Sequence, residues 1–286
     1  MEWQCVVEIH GGPQGRHGSG YLLGSDLALT ARHVVDGLKE TELRLLEPDE
    51  LGFPGRVGKW QAAQVDWLSP ESDLALLTPA AGREHFRKSI GPTTIGRLDG
   101  RAPVRVHALG FPRALLTPTH SDMLQLEASV NAWSGARSEA LLLDVKTTRP
   151  AEDAGWKGMS GAAVFAGDRL IGVIEAVPAK LDTSTLRATP THALFDDSHA
   201  SKALRKAHVE LAAEFVDAKY VEKLPLAGSW GGTREKYARA VVATFCSVDY
   251  LGLAVSGAPD RRTPALAAFT ARRLRLWPDA PPVASR

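Results

Sequence analysis

The amino-acid sequence predicts a mainly β fold, a closed barrel or a sandwich, followed by a helical extension. Two observations carry this. Short apolar runs recur through the first two-thirds of the chain with turn signals between them, and few helical patterns interrupt them. Near residue 199 the apolar spacing lengthens to a helical period. In chain order the runs are 5–9, 20–23, 27–30, 43–46, 61–67, 74–77, 104–108, 123–128, 141–145, 162–165 and 170–177. Gly and Pro separate them, at Gly11-Gly12-Pro13, Gly52-Phe53-Pro54-Gly55, Gly91-Pro92, Gly110-Phe111-Pro112 and Gly167-Asp168. These residues set turns by freeing or fixing φ.

In the last third, Ala203, Leu204, Leu211, Phe215 and Val221 recur at helical spacing in a stretch rich in Ala, Lys and Glu. Leu224-Pro225-Leu226-Ala227-Gly228 ends it. A second helical stretch covers 233–245. Residues 248–253 and 269–277 read as strands or connectors, and 277–282 as a linker or tail. The expected domains are therefore 1–198 and a helical or mixed extension, 199–286. The glycine loop Gly228-Ser229-Trp230-Gly231-Gly232 lacks a following Gly-Lys-[Ser/Thr], so it is not a phosphate loop.

Composition excludes several classes. Lys and Arg number 34 against 33 Asp and Glu, a net charge of +1, so nothing electrostatic points to nucleic acid or an anionic membrane. The two cysteines, Cys5 and Cys246, make no disulfide framework and no metal-ligand spacing. Such usage fits a reducing compartment. The N-terminus has neither the basic nor the apolar region of a signal peptide. No apolar window is long enough to span a membrane. The expected location is the cytoplasm, and no metal or cofactor is implied. His10 and His17 flank a Gly-rich turn without metal-ligand spacing and read as a solvated loop. His192 reads as packing or solvated.

Three segments carry chemistry. Thr30-Ala31-Arg32-His33-Val34-Val35 ends a strand and delivers a histidine at the start of a helical turn. Ser72-Asp73-Leu74-Ala75-Leu76 sets a carboxylate directly before an apolar strand. Gly158-Met159-Ser160-Gly161-Ala162 puts a glycine-flanked serine on a turn feeding another strand. A serine hydroxyl needs a base to attack a carbonyl, and an imidazole needs a carboxylate to fix its tautomer. The order His33, Asp73, Ser160 leaves room for two members on one barrel and the third on another.

These segments resemble the trypsin-like serine peptidases of the chymotrypsin fold. The likeness is to the bacterial, disulfide-free branch that includes the high-temperature-requirement proteases. The motifs match that family's Thr-Ala-x-His, Asp-Leu-Ala-Leu and Gly-x-Ser-Gly-[Gly/Ala], and the resemblance covers residues 1–198. It implies two six-stranded antiparallel β-barrels with the site between them. It also implies a serine endopeptidase acting on protein or peptide substrates through an acyl-enzyme, with Gly158 and Ser160 supplying oxyanion N–H groups. The alternative is a latent or inactive module of the same fold that binds peptides or a regulatory partner.

Two departures stand out. Met159 replaces the aspartate that a new N-terminus pairs with in the digestive enzymes, and the N-terminus is not of the Ile-Val-Gly-Gly type, so activation by N-terminal insertion is not expected. Ala154 replaces the pocket aspartate of trypsin six residues before the serine. With Gly155 it belongs to the expected substrate pocket, which Trp156 walls unless it serves packing. Glu175, on the strand after the serine, either restores a basic preference or is solvated. Residues 237–277 resemble the connector of bacterial NACHT-type, NLR-like defence proteins. That resemblance implies a protease effector joined to a regulatory module or partner through 199–286, in antiviral defence; the other reading is a helical cap packed on the barrels.

Overall fold

The computed structural model describes residues 3–223 apart from 13–15, 25, 49–53, 81–92, 99–101, 118–120, 132–133, 136–138, 148 and 178–182. The expected helix at 233–245, the connector at 237–277 and the tail lie outside the described residues. Two compact units divide the chain, Met1–Leu224 and Pro225–Arg286, and every described element belongs to the first.

Strands β1 (Val6–Gly11), β2 (Arg16–Gly24), β3 (Leu27–Thr30), β4 (Glu40–Pro48), β5 (Pro54–Val57), β6 (Gln61–Leu68) and β7 (Ala75–Pro79) form the first barrel, with a short helix α1 (Arg32–Val35) after β3. The order β1-β2-β3-β7-β6-β4 closes because β4 pairs back onto β1, and every pairing is antiparallel. β5 folds back on β4 outside the closure. Ile9, Leu22, Leu29, Leu43, Leu76 and Leu77, which alternate between the two faces of this sheet, are fully buried. Each such side chain contributes about 1.5–3 kcal/mol of transfer free energy.

The second barrel is built from β9 (Val104–Gly110), β10 (Leu124–Val130), β11 (Leu141–Val145), β12 (Ala163–Ala166), β13 (Arg169–Ala176) and β14 (Thr185–Pro190). Its order β9-β10-β11-β14-β13-β12 closes through β12 pairing with β9, again antiparallel throughout. β8 (Thr94–Leu98) adds in parallel to β13, and β15 (Glu210–Val216) adds in parallel to β8. Val106, Leu126, Leu143, Met159, Val164 and Ala188 fill this core. The barrels meet where the Tyr21 ring packs on Phe165, centroids 5.0 Å apart. The fold is thus the mainly β pair of six-stranded barrels that the motifs implied.

Beyond β14, helix α2 (Ser198–Lys206) starts on an Asp197 cap, whose carboxylate accepts from the Ala200 N–H. It buries Ala200 and Leu204. Helix α3 (Ala218–Lys223) follows β15 and packs Tyr220 and Val221 on the second core. The expected boundary at residue 198 therefore falls on the first residue of α2, and this unit runs on to Leu224. The helical spacing read across 203–221 is broken by β15. There the free edge of β8 takes up the backbone, and sheet pairing overrides side-chain spacing. Phe215, one of the residues at helical spacing, is 54% exposed and lies beneath the Arg97 guanidinium. No helix among the described residues is long and apolar enough to cross a membrane.

Candidate active site

His33 sits on α1 directly after β3. Its main-chain N–H donates to Asp73 Oδ1 at 2.8 Å, and its Nδ1–H donates to Asp73 Oδ2 at 2.6 Å. The residue before His33 is tied to the same partner, since the Arg32 N–H donates to the Asp73 carbonyl at 3.2 Å. One carboxylate thus fixes both the position and the tautomer of the ring, leaving Nε2 as the acceptor. The His33 side chain is half exposed, whereas that of Asp73 is only 17% exposed. The hydrogen bond to Asp73 holds the His33 imidazole above its ordinary range; burial opposes this, and the charges of Asp73 and Glu175 add to it.

Ser160 lies on the turn that feeds β12. The turn reverses sharply at Gly158 (φ +94°) and Gly161 (φ +91°), both in a region that favours glycine. Strand β2, from the other barrel, holds it. The Ser19 N–H donates to the Ser160 carbonyl at 2.7 Å, and Ser19 Oγ donates to the Gly158 carbonyl at 2.6 Å. Ser19 Oγ in turn accepts from the Phe111 N–H at 2.9 Å. The Gly158 and Ser160 N–H groups have no acceptor among the described residues. Two unengaged donors two residues apart suit an oxyanion.

Ser160 Oγ donates to the main-chain oxygen of Glu175 at 2.9 Å, and no hydrogen bond joins it to His33 among the described residues. Glu175 connects the two. Its carboxylate lines an open cleft of about 520 Å³ together with His33 and Asp73. Burial raises the Glu175 carboxyl above its ordinary range, against the opposing charge of Arg187. Arg187 Nε lies 3.0 Å from Glu175 Oε2, off the direction of a hydrogen bond. Thr189 Oγ1 donates to Glu175 Oε2 at 3.4 Å.

Of the expected pocket residues, only Glu175 lines this cleft. Ala154 and Gly155 lie on the 3-10 turn Asp153–Trp156, where Ala154 is exposed and its carbonyl accepts from Lys157. Trp156 is buried in the second core and donates to the Thr183 carbonyl at 3.1 Å. Met159 is fully buried there too. Arg187 escaped the sequence reading because it sits on β14, a strand with too few apolar residues to stand out.

His10 and His17 are not a solvated loop. They face each other across the β1–β2 pairing, and His17 Nε2 donates to Glu8 Oε1 at 2.6 Å. The signal was the alternation Val7-Glu8-Ile9 within an otherwise apolar strand. His192 lies half-buried in a 3-10 turn, Thr191–Phe195, and burial lowers its pKa. No group of three or more metal-ligating side chains occurs among the described residues.

The model of one family, described as the trypsin-like peptidase domain, matches residues 18–173, more than half of the chain. A glutamyl endopeptidase from Staphylococcus epidermidis is 27% identical over 175 residues, which are 58% of this chain and 56% of that protein. The chain thus spans about half the length of the curated relative it matches. Among solved structures, a serine endoprotease from Yersinia pestis is 18% identical, with a TM-score of 0.48 over 72% of this chain and 63% of that one. The inactive form of a protease from M. tuberculosis is 16% identical, with a TM-score of 0.46 over 72% of this chain and 87% of that one.

Proposed function

The chain belongs to the family of trypsin-like peptidase domains, and from that premise we propose that it is a serine endopeptidase in which His33, Asp73 and Ser160 form the catalytic triad. The observation that carries the proposal is the two-point grip of Asp73 on His33, in a cleft also lined by Glu175, whose main-chain oxygen accepts from the Ser160 hydroxyl. Ser160 Oγ turns from the Glu175 carbonyl to His33 Nε2 and attacks the carbonyl carbon of a peptide bond. Its proton passes to Nε2, and Asp73 stabilises the imidazolium. The Gly158 and Ser160 N–H groups hold the oxyanion. Collapse of the intermediate breaks the C–N bond, and His33 returns the proton to the leaving amine. A water molecule, deprotonated by His33, then hydrolyses the acyl-enzyme.

A second reading is a latent enzyme, and one observation favours it: the nucleophile rests on a main-chain oxygen. In that reading residues 199–286 receive the activator. Their likeness to NACHT connectors supports a protease effector in bacterial defence, and the sparse cysteines support a cytoplasmic setting. Labelling with a fluorophosphonate probe separates the readings. Label on the wild type that is absent from Ser160→Ala supports a competent hydrolase. No label on either supports the latent form, and equal label on both sinks the triad.

A further inference from the structure

A second carboxylate–imidazole pair lies on the first barrel, with no place in the chemistry above. Glu8, on β1, has a side chain only 4% exposed, and that of His17, on β2, is 24% exposed. Three donors converge on the Glu8 carboxylate. His17 Nε2 and Ser121 Oγ donate to Oε1 at 2.6 and 2.5 Å, and Arg44 Nε donates to Oε2 at 2.5 Å. They come from three places: β2, β4, and the segment between β9 and β10 of the other barrel. Arg44 is itself held, its guanidinium stacked 4.2 Å over the Trp60 ring. Burial raises the Glu8 pKa, but the bonds from His17, Arg44 and Ser121 and the charge of Arg44 outweigh it, bringing it down to about 2.

A buried ion pair is a poor device for stability alone, because well-packed apolar residues of the same size do as well or better. What this one holds is the orientation of a ring. With Nε2 anchored on Glu8, the opposite edge of His17 lies against Gly158. A Cβ placed on Gly158 would sit 2.7 Å from His17 Nδ1 and would collide with the Phe111 carbonyl oxygen. His17 and Phe111 therefore close off the same side of the Gly158 Cα, while its carbonyl is fixed by Ser19. The peptide plane that carries the Gly158 N–H is held at its other end, where the Lys157 carbonyl accepts from the Arg113 N–H at 2.6 Å, so the direction of that N–H is restrained before any substrate arrives.

We propose that Glu8 and His17 are positioning residues for the oxyanion turn: Glu8 aims the imidazole, and the imidazole braces Gly158. The inference rests on the reading of Ser160 as nucleophile and of Gly158 as oxyanion donor. It deepens that reading by assigning a role to a pair that touches neither the substrate nor the nucleophile. Losing an oxyanion donor outright costs about 100- to 1,000-fold, so loosening one is expected to cost about 30-fold.

The test is inactivation of the full chain by a fluorophosphonate probe, resolved into the maximal rate and the half-saturating concentration. His17→Ala is expected to slow the maximal rate about 30-fold and leave the half-saturating concentration within about twofold. His17→Phe, which keeps the bulk but cannot donate to Glu8, is expected to be equally slow. His17→Gln, which keeps a donor directed at Glu8, is expected to recover to within about threefold of wild type. Wild-type rates in both His17→Ala and His17→Phe would overturn the proposal. So would losses that simply follow the fraction unfolded by circular dichroism, without recovery in His17→Gln. Wild type and Ser160→Ala run alongside. If wild type takes no label, or Ser160→Ala takes as much, the proposal falls together with the reading beneath it. If wild type labels at Ser160 and the His17 variants match it, the proposal alone falls.

Discussion

Ser160 spends its hydroxyl proton on the main-chain oxygen of Glu175, 2.9 Å away, although Glu175 lines one cleft with the His33 imidazole. A net hydrogen bond of this kind is worth about 1 kcal/mol. Reaching the attack position therefore costs roughly fivefold in population. A substrate whose backbone N–H takes the Glu175 oxygen would lift that cost. We expect a fluorophosphonate carrying a peptide amide to inactivate at least about fivefold faster, at saturation, than a plain alkyl one. Equal saturating rates would show that the hydroxyl is not held back.

Asp73→Asn removes the acceptor that fixes the His33 tautomer. In the analogous triad such a change lowers turnover about 10,000-fold with little change of fold. The same loss is expected here, read as turnover of a fluorogenic peptide pool, with an unchanged circular dichroism spectrum. Activity within tenfold of wild type would remove Asp73 from the mechanism.

The pH dependence follows from His33. Its pKa is raised in the folded protein by the Asp73 hydrogen bond, with the Glu175 charge adding to it. Neutral His33 is the base, so kcat/KM should climb as pH rises through a midpoint above 6.5. The ion pair runs the other way: its contribution to stability is complete below pH 6.5 and is lost as pH rises through that same midpoint. Glu175→Gln deletes one carboxylate facing the ring, so the midpoint should move to lower pH. A pH–rate profile of both proteins checks the sign.

Glu8 is expected to govern stability in acid. Its folded pKa, about 2, lies below the ordinary 4.5. The group therefore contributes stability above pH 4.5 that is lost as pH falls through about 2. At 1.36 kcal/mol per unit the shift corresponds to roughly 3 kcal/mol. Urea unfolding of wild type and Glu8→Gln should differ most near neutral pH and converge towards pH 2. A constant gap would assign the difference to packing instead.

Gly161→Ala should be among the most damaging single-methyl changes in the chain. The backbone there has φ +91°, and a Cβ would collide with the Ser19 carbonyl oxygen and with Thr30 Oγ1. Strain and overpacking together should cost about 3 kcal/mol or more. A fall in thermal midpoint together with loss of probe labelling is expected; an unchanged midpoint would contradict the contact.

The barrel strands other than β14 and the three chemical segments were legible because each has a local cause. Leu27 to Thr30 is a short apolar run, and Gly158 and Gly161 are needed where the backbone turns left-handed. What escaped depends on neighbours far along the chain. β15 forms because β8 offers an edge, not because Glu210 to Val216 favours a strand. The Glu8–His17 pair exists because β1 and β2 align Glu8 with Ser19 and His10 with His17, a register that no single segment announces. Glu175 was noticed, but its pairing with Arg187 depends on β13 and β14 lying side by side.

The bed of the nucleophile turn has a consequence for the life of the polypeptide. Ser160 comes from the later half of the chain, while Ser19 and His17, which clasp its turn, come from the first strands to be made. A partly synthesised or half-opened molecule holds the hydroxyl without the clasp, or the clasp without the hydroxyl. On the reading of Ser160 as nucleophile, peptidase activity therefore needs both barrels folded together in one molecule.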